Sequence, residues 1–171
     1  MKKMIICQKC NLCNNQLPLL DNNSKADIMW VGLSAKKVDN VNKAIPLSND
    51  TNSGMIIEMI EKKLNNYCFY KTNLVKCLPL DEKGKLRYPN ASEMESCVDN
   101  LIYEIDKINP KIIFVLGRKT YNFIIKYFKK NNIFIDNIIY IEHPSYIYVY
   151  RRKFIDDYVS KVVNIVRNIM G

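Results

Sequence analysis

The sequence predicts an α/β protein, a three-layer αβα arrangement in which a four-stranded parallel sheet lies between helices. Four short apolar runs alternate along the chain with segments whose apolar residues recur every three or four positions. This alternation of strands and helices is typical of a parallel sheet covered on both faces. The 171 residues contain no repeat and no low-complexity segment, so we expect one domain over residues 1–171.

The first half of the chain predicts two strands and the helix between them. Residues 28–31 are wholly apolar and end at Gly32, which marks a buried strand. A helix opens at Ser53-Gly54, since the apolar residues that follow have a three-to-four residue spacing. Residues 72–76 form the next strand, and Pro79 prevents the ladder from continuing beyond it.

The second half repeats the alternation. Residues 92–95, Ser-Glu-Met-Glu, have the pattern of a capping box and predict a helix start, and Asn109-Pro110 predicts its end. The remaining elements are expected as a strand at 112–116, a helix at about 118–129, a strand at 138–141 and a helix from about 151 to 169.

Charge and composition limit the classes of protein. The net charge is +9, with 26 Lys and Arg against 17 Asp and Glu, which favours a polyanionic partner, although a lysine-rich solvated surface explains it equally well. No apolar run reaches the roughly eighteen residues that a membrane span requires, so no membrane partner is expected. The apolar part of the first seven residues is too short for a secretory signal. We therefore expect a cytoplasmic monomer.

Several polar residues follow directly on predicted strands. Because ligands bind beyond the carboxyl ends of parallel strands, we expect Gly32, Asn73 to Cys77, Gly117 and His143 to share one edge of the sheet. The Asn73 amide can both donate and accept a hydrogen bond, as the polar edge of a base requires.

The six cysteines indicate a metal site. Without a secretory signal, disulfides are disfavoured, and a single histidine means that thiolates would hold any metal. Two overlapping Cys-x-x-Cys motifs lie at residues 7–13, and Cys77 and Cys97 can complete a four-thiolate site for zinc or an iron–sulfur cluster. Cys68, between two aromatic residues, fits a free cysteine of the core better.

A set of motifs in a fixed order resembles the iron–sulfur uracil-DNA glycosylases. The motifs are Cys-x-x-Cys-x-Leu from Cys7, Val31-Gly32, Thr-Asn-Leu-Val-Lys-Cys-x-Pro (72–79), Cys97, Pro-Lys-Ile-Ile-Phe-Val-Leu-Gly (110–117) and His-Pro-Ser (143–145). The resemblance covers most of the chain. It implies the uracil-DNA glycosylase-like fold, excision of a base from DNA, and base reading by Asn73. It also implies a [4Fe–4S] cluster on Cys7, Cys10, Cys77 and Cys97, with Cys13 left over; structural zinc is the alternative cofactor.

The chain departs from the family at the positions that bind the base and activate water. Leu33 follows Gly32 at the position where one branch carries a Glu that helps to activate water, and Leu47 stands where an aromatic residue stacks on the base. A second branch places an Asp just before Ser-Gly, and Asp50 is the best equivalent here, one residue further away. The resemblance thus implies a base site formed by Gly32, Leu33, Leu47 and Asn73, with Asp50 as the catalytic carboxylate.

His143 and the residues after it suit chemistry on DNA. A donor held against the carbonyl oxygen of a departing base lowers the barrier, and the His143 imidazole can be that donor. Aromatic and basic residues follow, which is the composition that distortion of a duplex requires. We expect DNA contacts from Ser145, Tyr146, Arg151, Arg152 and Lys153.

Three functions are consistent with these residues. The first is a DNA glycosylase that hydrolyses the N-glycosidic bond of uracil, or of another damaged or modified base, after the base is flipped out of DNA. The second, favoured by Leu33 and Leu47, is a catalytically impaired base- or DNA-binding module. The third is a structural protein with zinc or a cluster that binds nucleic acid by charge alone.

Overall fold

The four predicted strands form one parallel sheet, which confirms the expected fold class. The computed structural model describes residues 7–171; the basic N-terminal segment, residues 1–6, lies outside this range. The strands are β1 (Ile28–Ser34), β2 (Phe69–Val75), β3 (Ile112–Leu116) and β4 (Ile138–Ile141), in the order β2-β1-β3-β4. The helices are α1 (Asn52–Lys63), α2 (Ala91–Ile108), α3 (Arg118–Lys130), α4 (Pro144–Tyr150) and α5 (Ile155–Met170). Single 3₁₀ turns lie at Asn11–Asn14 and Arg152–Phe154.

The central strands are apolar on both faces because each face of the sheet carries its own helical layer. In β1, Met29 and Val31 belong to the core under α2 and α3. Ile28 and Trp30 alternate with them and belong to the core under α1 and α5. The sheet is therefore the middle layer of an αβα sandwich, and its carboxyl edge is left to the loops.

The capping box of α2 lies two residues earlier than the sequence indicated. The Asn90 side chain accepts from the Glu93 N–H at 2.9 Å, and the Glu93 carboxylate accepts from the Asn90 N–H at 2.8 Å. Arg87 pairs with the same carboxylate at 2.6 Å and holds its pKa below the usual range. Ser92 also has a glutamate three residues further on, but the box closes at Asn90, whose Glu93 is in addition paired with Arg87.

The C-terminal region contains a helix that the sequence did not predict, and the last helix starts later than expected. The short helix α4 begins directly after His143, and Pro144 occupies its first position, where a missing N–H costs nothing. The last helix starts at Ile155 rather than near residue 151, and Asp156 and Asp157 lie in its first turn. Two carboxylates at this end complement the helix dipole, whereas Arg151 to Lys153 would oppose it.

The outer edge of β2 is covered by the segment at residues 19–23. Lys71 N–H donates to Asp21 Oδ2 at 2.8 Å, and the Asn23 amide donates to Phe69 O at 2.9 Å. Leu19 N–H donates to Lys76 O at 2.8 Å. This covering keeps the edge strand from presenting open backbone groups to another chain. Within residues 7–171, no helix has the length and apolar character to cross a bilayer.

Candidate functional site

Asn73, Gly32 and Leu47 form one compact group at the carboxyl edge of the sheet. Asn73 and Gly32 are paired in register on neighbouring strands. The Asn73 side-chain oxygen occupies the space that a β-carbon on Gly32 would take, and Leu47 Cδ2 would lie 3.4 Å from that carbon. Only a glycine lets the amide lie this close to the strand.

The Asn73 amide is largely buried and, within residues 7–171, has no hydrogen-bonding partner. Asn73 is 3 % exposed. Within residues 7–171, its side-chain amide neither donates nor accepts a hydrogen bond, while the backbone around it is paired. In the same range, no fully enclosed side-chain nitrogen or oxygen lacks a partner, so the amide keeps a narrow opening to the outside. Because buried amides are nearly always satisfied, an open one at the edge of a parallel sheet is free to bind a ligand.

The two leucines that replace family residues lie on opposite faces of the sheet: Leu47 lies beside this amide, and Leu33 does not. Leu47 has φ +53°, a left-handed conformation that is a genuine outlier for a bulky residue. Such backbone persists where surrounding structure fixes it, and it is concentrated at ligand sites. Leu33 is half-buried near the end of β1 and packs against the core under α2 and α3.

His143 is oriented by the helix that it starts. Its Nδ1 accepts from the Ser145 N–H at 3.3 Å and so caps α4. In the neutral imidazole the proton is then on Nε2, which is left as a donor. Burial lowers the pKa of His143 from its ordinary value of 6.5, so the ring is neutral at pH 7.

Glycines separate Asn73 from His143 at this edge. A β-carbon on Gly117, which follows β3, would be 3.5 Å from the His143 ring. Asn73 lies on β2 and His143 follows β4, and these are the two outer strands of the sheet. The two central strands lie between them, so the axes of β2 and β4 are about 14 Å apart. Gly32 lies within β1, two residues before its end, and Gly117 directly follows β3, so neither position carries a side chain between Asn73 and His143. The two cavities that are described in the molecule do not include Asn73 or His143.

Asp50 lies on the surface near this group. Its carboxylate accepts from Lys36 Nζ at 2.8 Å and from the Ser48 hydroxyl, and its side chain is 68 % exposed. The bonds from Lys36 and Ser48 hold the pKa of Asp50 below its usual range. The residue is therefore a stable negative charge, and the cation paired with it is a lysine from the loop after β1. The sequence did not identify Lys36, and only the convergence of two loops reveals it.

The cysteines of the predicted metal site converge on a single small cavity. Cys7, Cys10, Cys77 and Cys97 all line it, and among the described residues no Asp, Glu or His does. Burial and the neighbouring thiols raise the pKa of Cys77 to about 12, which shows how strongly these groups disfavour thiolates without a cation. Among residues 7–171, no group of three or more His, Cys, Asp or Glu side chains is arranged to hold a metal ion.

The two remaining cysteines are in different environments. Cys13 lines the same cavity, but its thiol is turned to the Cys10 carbonyl oxygen at 3.4 Å. Cys68 is exposed, so the prediction that it is a core cysteine was wrong. Cys68 directly precedes β2. Its backbone N–H donates a hydrogen bond to the Asp27 carboxylate, and its side chain points away from the core.

The segment after His143 presents aromatic and basic side chains together. Tyr146 and Tyr150 are 48 % and 74 % exposed, and their ring centroids are 5.3 Å apart. Arg152 lies over the Tyr148 ring at 4.9 Å, and Lys153 lies over the Phe154 ring at 5.1 Å. Arg151 differs because its guanidinium is paired with Glu142 at 3.1 Å. Ser145 is half-buried under this surface.

Comparison with known proteins identifies the class. The model of the Uracil DNA glycosylase superfamily matches residues 16–167, and the chain belongs to this superfamily. Among its relatives, the Type-4 uracil-DNA glycosylase of Sulfurisphaera tokodaii is 30 % identical over 157 residues, or 89 % of this chain and 67 % of that protein. The Type-4 uracil-DNA glycosylase of Saccharolobus solfataricus is 30 % identical over 137 residues, or 77 % and 59 % of the two chains.

Two further comparisons complete this result. The Type-4 uracil-DNA glycosylase of Archaeoglobus fulgidus is 29 % identical over 74 % of this chain and 62 % of its own length. The chain thus spans about three fifths of the length of the Saccharolobus and Archaeoglobus relatives. The crystal structure of Pedobacter heparinus SMUG2 superimposes with a TM-score of 0.62 at 20 % identity, covering 86 % of this chain and 77 % of that one. This last likeness concerns the fold.

Proposed function

We propose that this chain is a DNA glycosylase that hydrolyses the N-glycosidic bond of uracil in DNA. The observation that carries the proposal is the Asn73 amide, which is largely buried, has no hydrogen-bonding partner within residues 7–171 and lies at the same sheet edge as His143. Membership of the superfamily and three relatives named Type-4 uracil-DNA glycosylase support uracil as the first substrate to test.

His143 and Asn73 act on the departing base. When the glycosidic bond breaks, negative charge develops on a carbonyl oxygen of the pyrimidine, and a preorganised donor stabilises it. The cap to Ser145 directs the proton of His143 to Nε2, and the lowered pKa keeps the ring a neutral donor. The Asn73 amide offers one donor and one acceptor to the base, which suits a uracil edge.

Asp50 acts on the sugar. The transition state carries positive charge near C1′, and a carboxylate stabilises it or activates water. A lowered pKa makes Asp50 a weak base but a permanent anion, so its properties favour charge stabilisation over proton abstraction. Gly32, Leu33 and Leu47 complete the base site: the glycine admits the amide, and the leucines supply contact area without ring stacking.

The aromatic and basic surface after His143 binds the DNA backbone. Ser145, Tyr146, Arg151, Arg152 and Lys153 lie next to the proposed donor in sequence. Bases reach such sites only when flipped out of the stack, and wedges beside cations hold the distorted strand. The net charge of +9 adds long-range attraction for DNA. The cytoplasmic location and the monomeric state expected from the sequence stay predictions.

The cysteine cavity fits a [4Fe–4S] cluster on Cys7, Cys10, Cys77 and Cys97. The lining supplies thiols and, among the described residues, no carboxylate or imidazole, which is the donor set of such clusters. Zinc requires four sulfurs around one ion at about 2.3 Å, whereas a cluster distributes its thiolates over four irons. The resemblance of the motifs to the iron–sulfur glycosylases favours the cluster, and zinc is the alternative. The group, when bound, supplies a cross-link between the N-terminal segment, the end of β2 and α2.

A catalytically impaired base-binding module is the second candidate. The ion pair between Asp50 and Lys36 favours it, because a neutralised carboxylate stabilises a sugar cation less. Leu47 in the place of an aromatic residue has the same effect on base binding. This candidate predicts base-specific binding without release of the base.

One experiment separates the candidates. The purified protein is incubated with DNA containing uracil, hypoxanthine or hydroxymethyl-type modified pyrimidines, and abasic sites are then cleaved. A glycosylase yields cleaved uracil DNA, whereas the binding module retards the same DNA without cleavage. Binding that ignores base identity would support the third interpretation, association by charge alone. Absence of any cleavage in protein that contains its metal would reject the enzyme.

A further inference from the structure

The most unusual charged group in the molecule is a lysine inside the core. The side chain of Lys76 is 1 % exposed. Its Nζ donates to Glu104 Oε2 at 2.5 Å, to Thr72 Oγ1 at 2.8 Å and to the Asn73 carbonyl oxygen at 2.6 Å. An ammonium has three N–H groups, and all three are used. One of them is committed to the backbone of the residue proposed to bind the base.

The partner carboxylate is equally well satisfied. Glu104, on α2, is 2 % exposed and also accepts from the Tyr70 hydroxyl at 3.0 Å and from Thr72 Oγ1 at 2.9 Å. Burial and this carboxylate raise the pKa of Tyr70, which keeps its hydroxyl protonated as a donor. The pair is therefore a closed network with a fixed geometry.

Stability alone does not account for such a pair. Taking two charges out of water is costly, and apolar residues of similar size often replace a buried ion pair with no loss of stability. A buried polar network that is fully satisfied can instead specify one arrangement of the backbone. The arrangement that this network specifies is the end of β2.

The Asn73 carbonyl lies at the point on the outer edge of β2 where the covering segment, residues 19–23, no longer bonds to the strand. Residues 69, 71 and 73 point their backbone groups outward from the sheet, because alternate residues bond to opposite sides. Segment 19–23 forms hydrogen bonds with the backbone carbonyl of residue 69 and the backbone N–H of residue 71. Its next bond is to the Lys76 carbonyl, so it passes over position 73. At position 73 the Lys76 ammonium takes the place of the missing strand.

We propose that the Lys76–Glu104 pair is a positioning device that holds the Asn73 carbonyl and so directs the Asn73 side-chain amide over Gly32, toward the base. This role rests on the proposed function. The side chain leaves the same α-carbon as the held carbonyl, so rotation of that backbone would carry the amide away from Gly32. Lys76 itself touches neither base nor sugar.

The test uses matched double variants in the full-length protein with its metal bound. Lys76→Met/Glu104→Gln removes both charges but retains an acceptor for Tyr70 and Thr72. Lys71→Met/Glu61→Gln is the control, because that pair also joins β2 to a helix at 3.0 Å with side chains only 13 % and 17 % exposed. The ammonium of Lys71 has no bond to Asn73, and the glutamine that replaces Glu61 retains an acceptor for Trp30.

We expect the two double variants to unfold at similar temperatures but to differ in catalysis. Lys76→Met/Glu104→Gln should lose about 100-fold in kcat for uracil excision with KM for DNA little changed, the cost of a misplacement near 1 Å. In an Asn73→Ala background the same double substitution should cost little more, because both changes act through one amide. A full additional loss in that background, wild-type kcat in the double variant, or failure of the double variant to fold would each overturn the proposal.

A second readout does not depend on activity. In a crystal structure of Lys76→Met/Glu104→Gln, the Asn73 amide should lie displaced from Gly32, whereas the control should retain it in place. If the Asn73 amide keeps its wild-type position in Lys76→Met/Glu104→Gln, the positioning role is wrong. If the wild-type protein excises no base but the amide moves as expected, the proposed function fails while the positioning role stands.

Discussion

The side-chain oxygen of Asn73 lies against the α-carbon of Gly32, on the neighbouring strand, in the space where any other residue would carry its β-carbon. Gly32→Ala should therefore push the amide aside, and we expect a loss of about 100-fold in kcat, since errors near 1 Å have that cost. Single-turnover excision from uracil DNA measures it. Ser34→Ala, two residues further along β1, is the control and should keep wild-type kcat. Wild-type activity in Gly32→Ala would show that the close approach has no catalytic value.

The lowered pKa of His143 predicts a loss of stability in mild acid. Burial holds the folded pKa below the ordinary 6.5, so the unfolded chain takes up the proton first as the pH falls. The contribution of this residue is fully present above about pH 6.5 and is lost as the pH falls through the folded pKa. His143→Asn retains an N-cap for α4 but does not titrate. Unfolding temperatures between pH 5 and about 8 should fall more steeply for the wild type than for the variant; parallel curves would contradict the burial argument.

Removal of single thiols should separate the cluster ligands from the other cysteines. Cys97→Ser should lose iron, sulfide and visible absorbance, because an alcohol is a poor ligand for iron in a cluster. Cys13→Ser should keep them, since its thiol is turned to a carbonyl oxygen, and the exposed Cys68 gives a matched control in Cys68→Ser. Iron and sulfide analysis of the purified variants measures this. Zinc in the wild type, or full iron in Cys97→Ser, would contradict the assignment.

The salt dependence of DNA binding should identify the phosphate contacts. Each lysine or arginine that neutralises a phosphate contributes about 0.9 to the slope of log K against log salt for duplex DNA. Arg152→Ala and Lys153→Ala should each reduce the slope by about that amount, and Arg151→Ala by less, because Glu142 already balances its charge. Lys130→Ala, at the far end of α3, is the control and should leave the slope unchanged. Equal slopes in all four variants would place the DNA elsewhere.

The fold could be predicted because its signals are local. Apolar runs of strand length and helical spacing in between identify every strand, and residues after strands in a parallel sheet must share an edge. This reasoning brought Gly32, Asn73, Gly117 and His143 to one edge, where the structure has them. The predicted start of α2 was wrong because two residues compete as its N-cap. Asn90 and Ser92 both precede a glutamate by three residues, and the structure uses Asn90.

The parts of the site that could not be predicted depend on contacts between distant segments. Lys76 follows an apolar strand and has the composition of a surface residue; only Glu104, on a helix 28 residues away, makes its burial possible. The pairing of Asp50 with Lys36 and the left-handed backbone of Leu47 likewise arise from loop packing. The burial of a lysine beside a proposed functional amide is a signal that sequence alone does not carry.

The most direct test of the central claim is the release of free uracil in a single turnover from a uracil-containing oligonucleotide, with DNA binding measured in parallel. The wild type should release the base, and Asn73→Ala and His143→Asn should bind the DNA but release uracil at least about 100-fold more slowly, as the loss of a preorganised donor requires. A wild-type protein that binds uracil DNA without releasing the base, or variants that release it at the wild-type rate, would contradict the account.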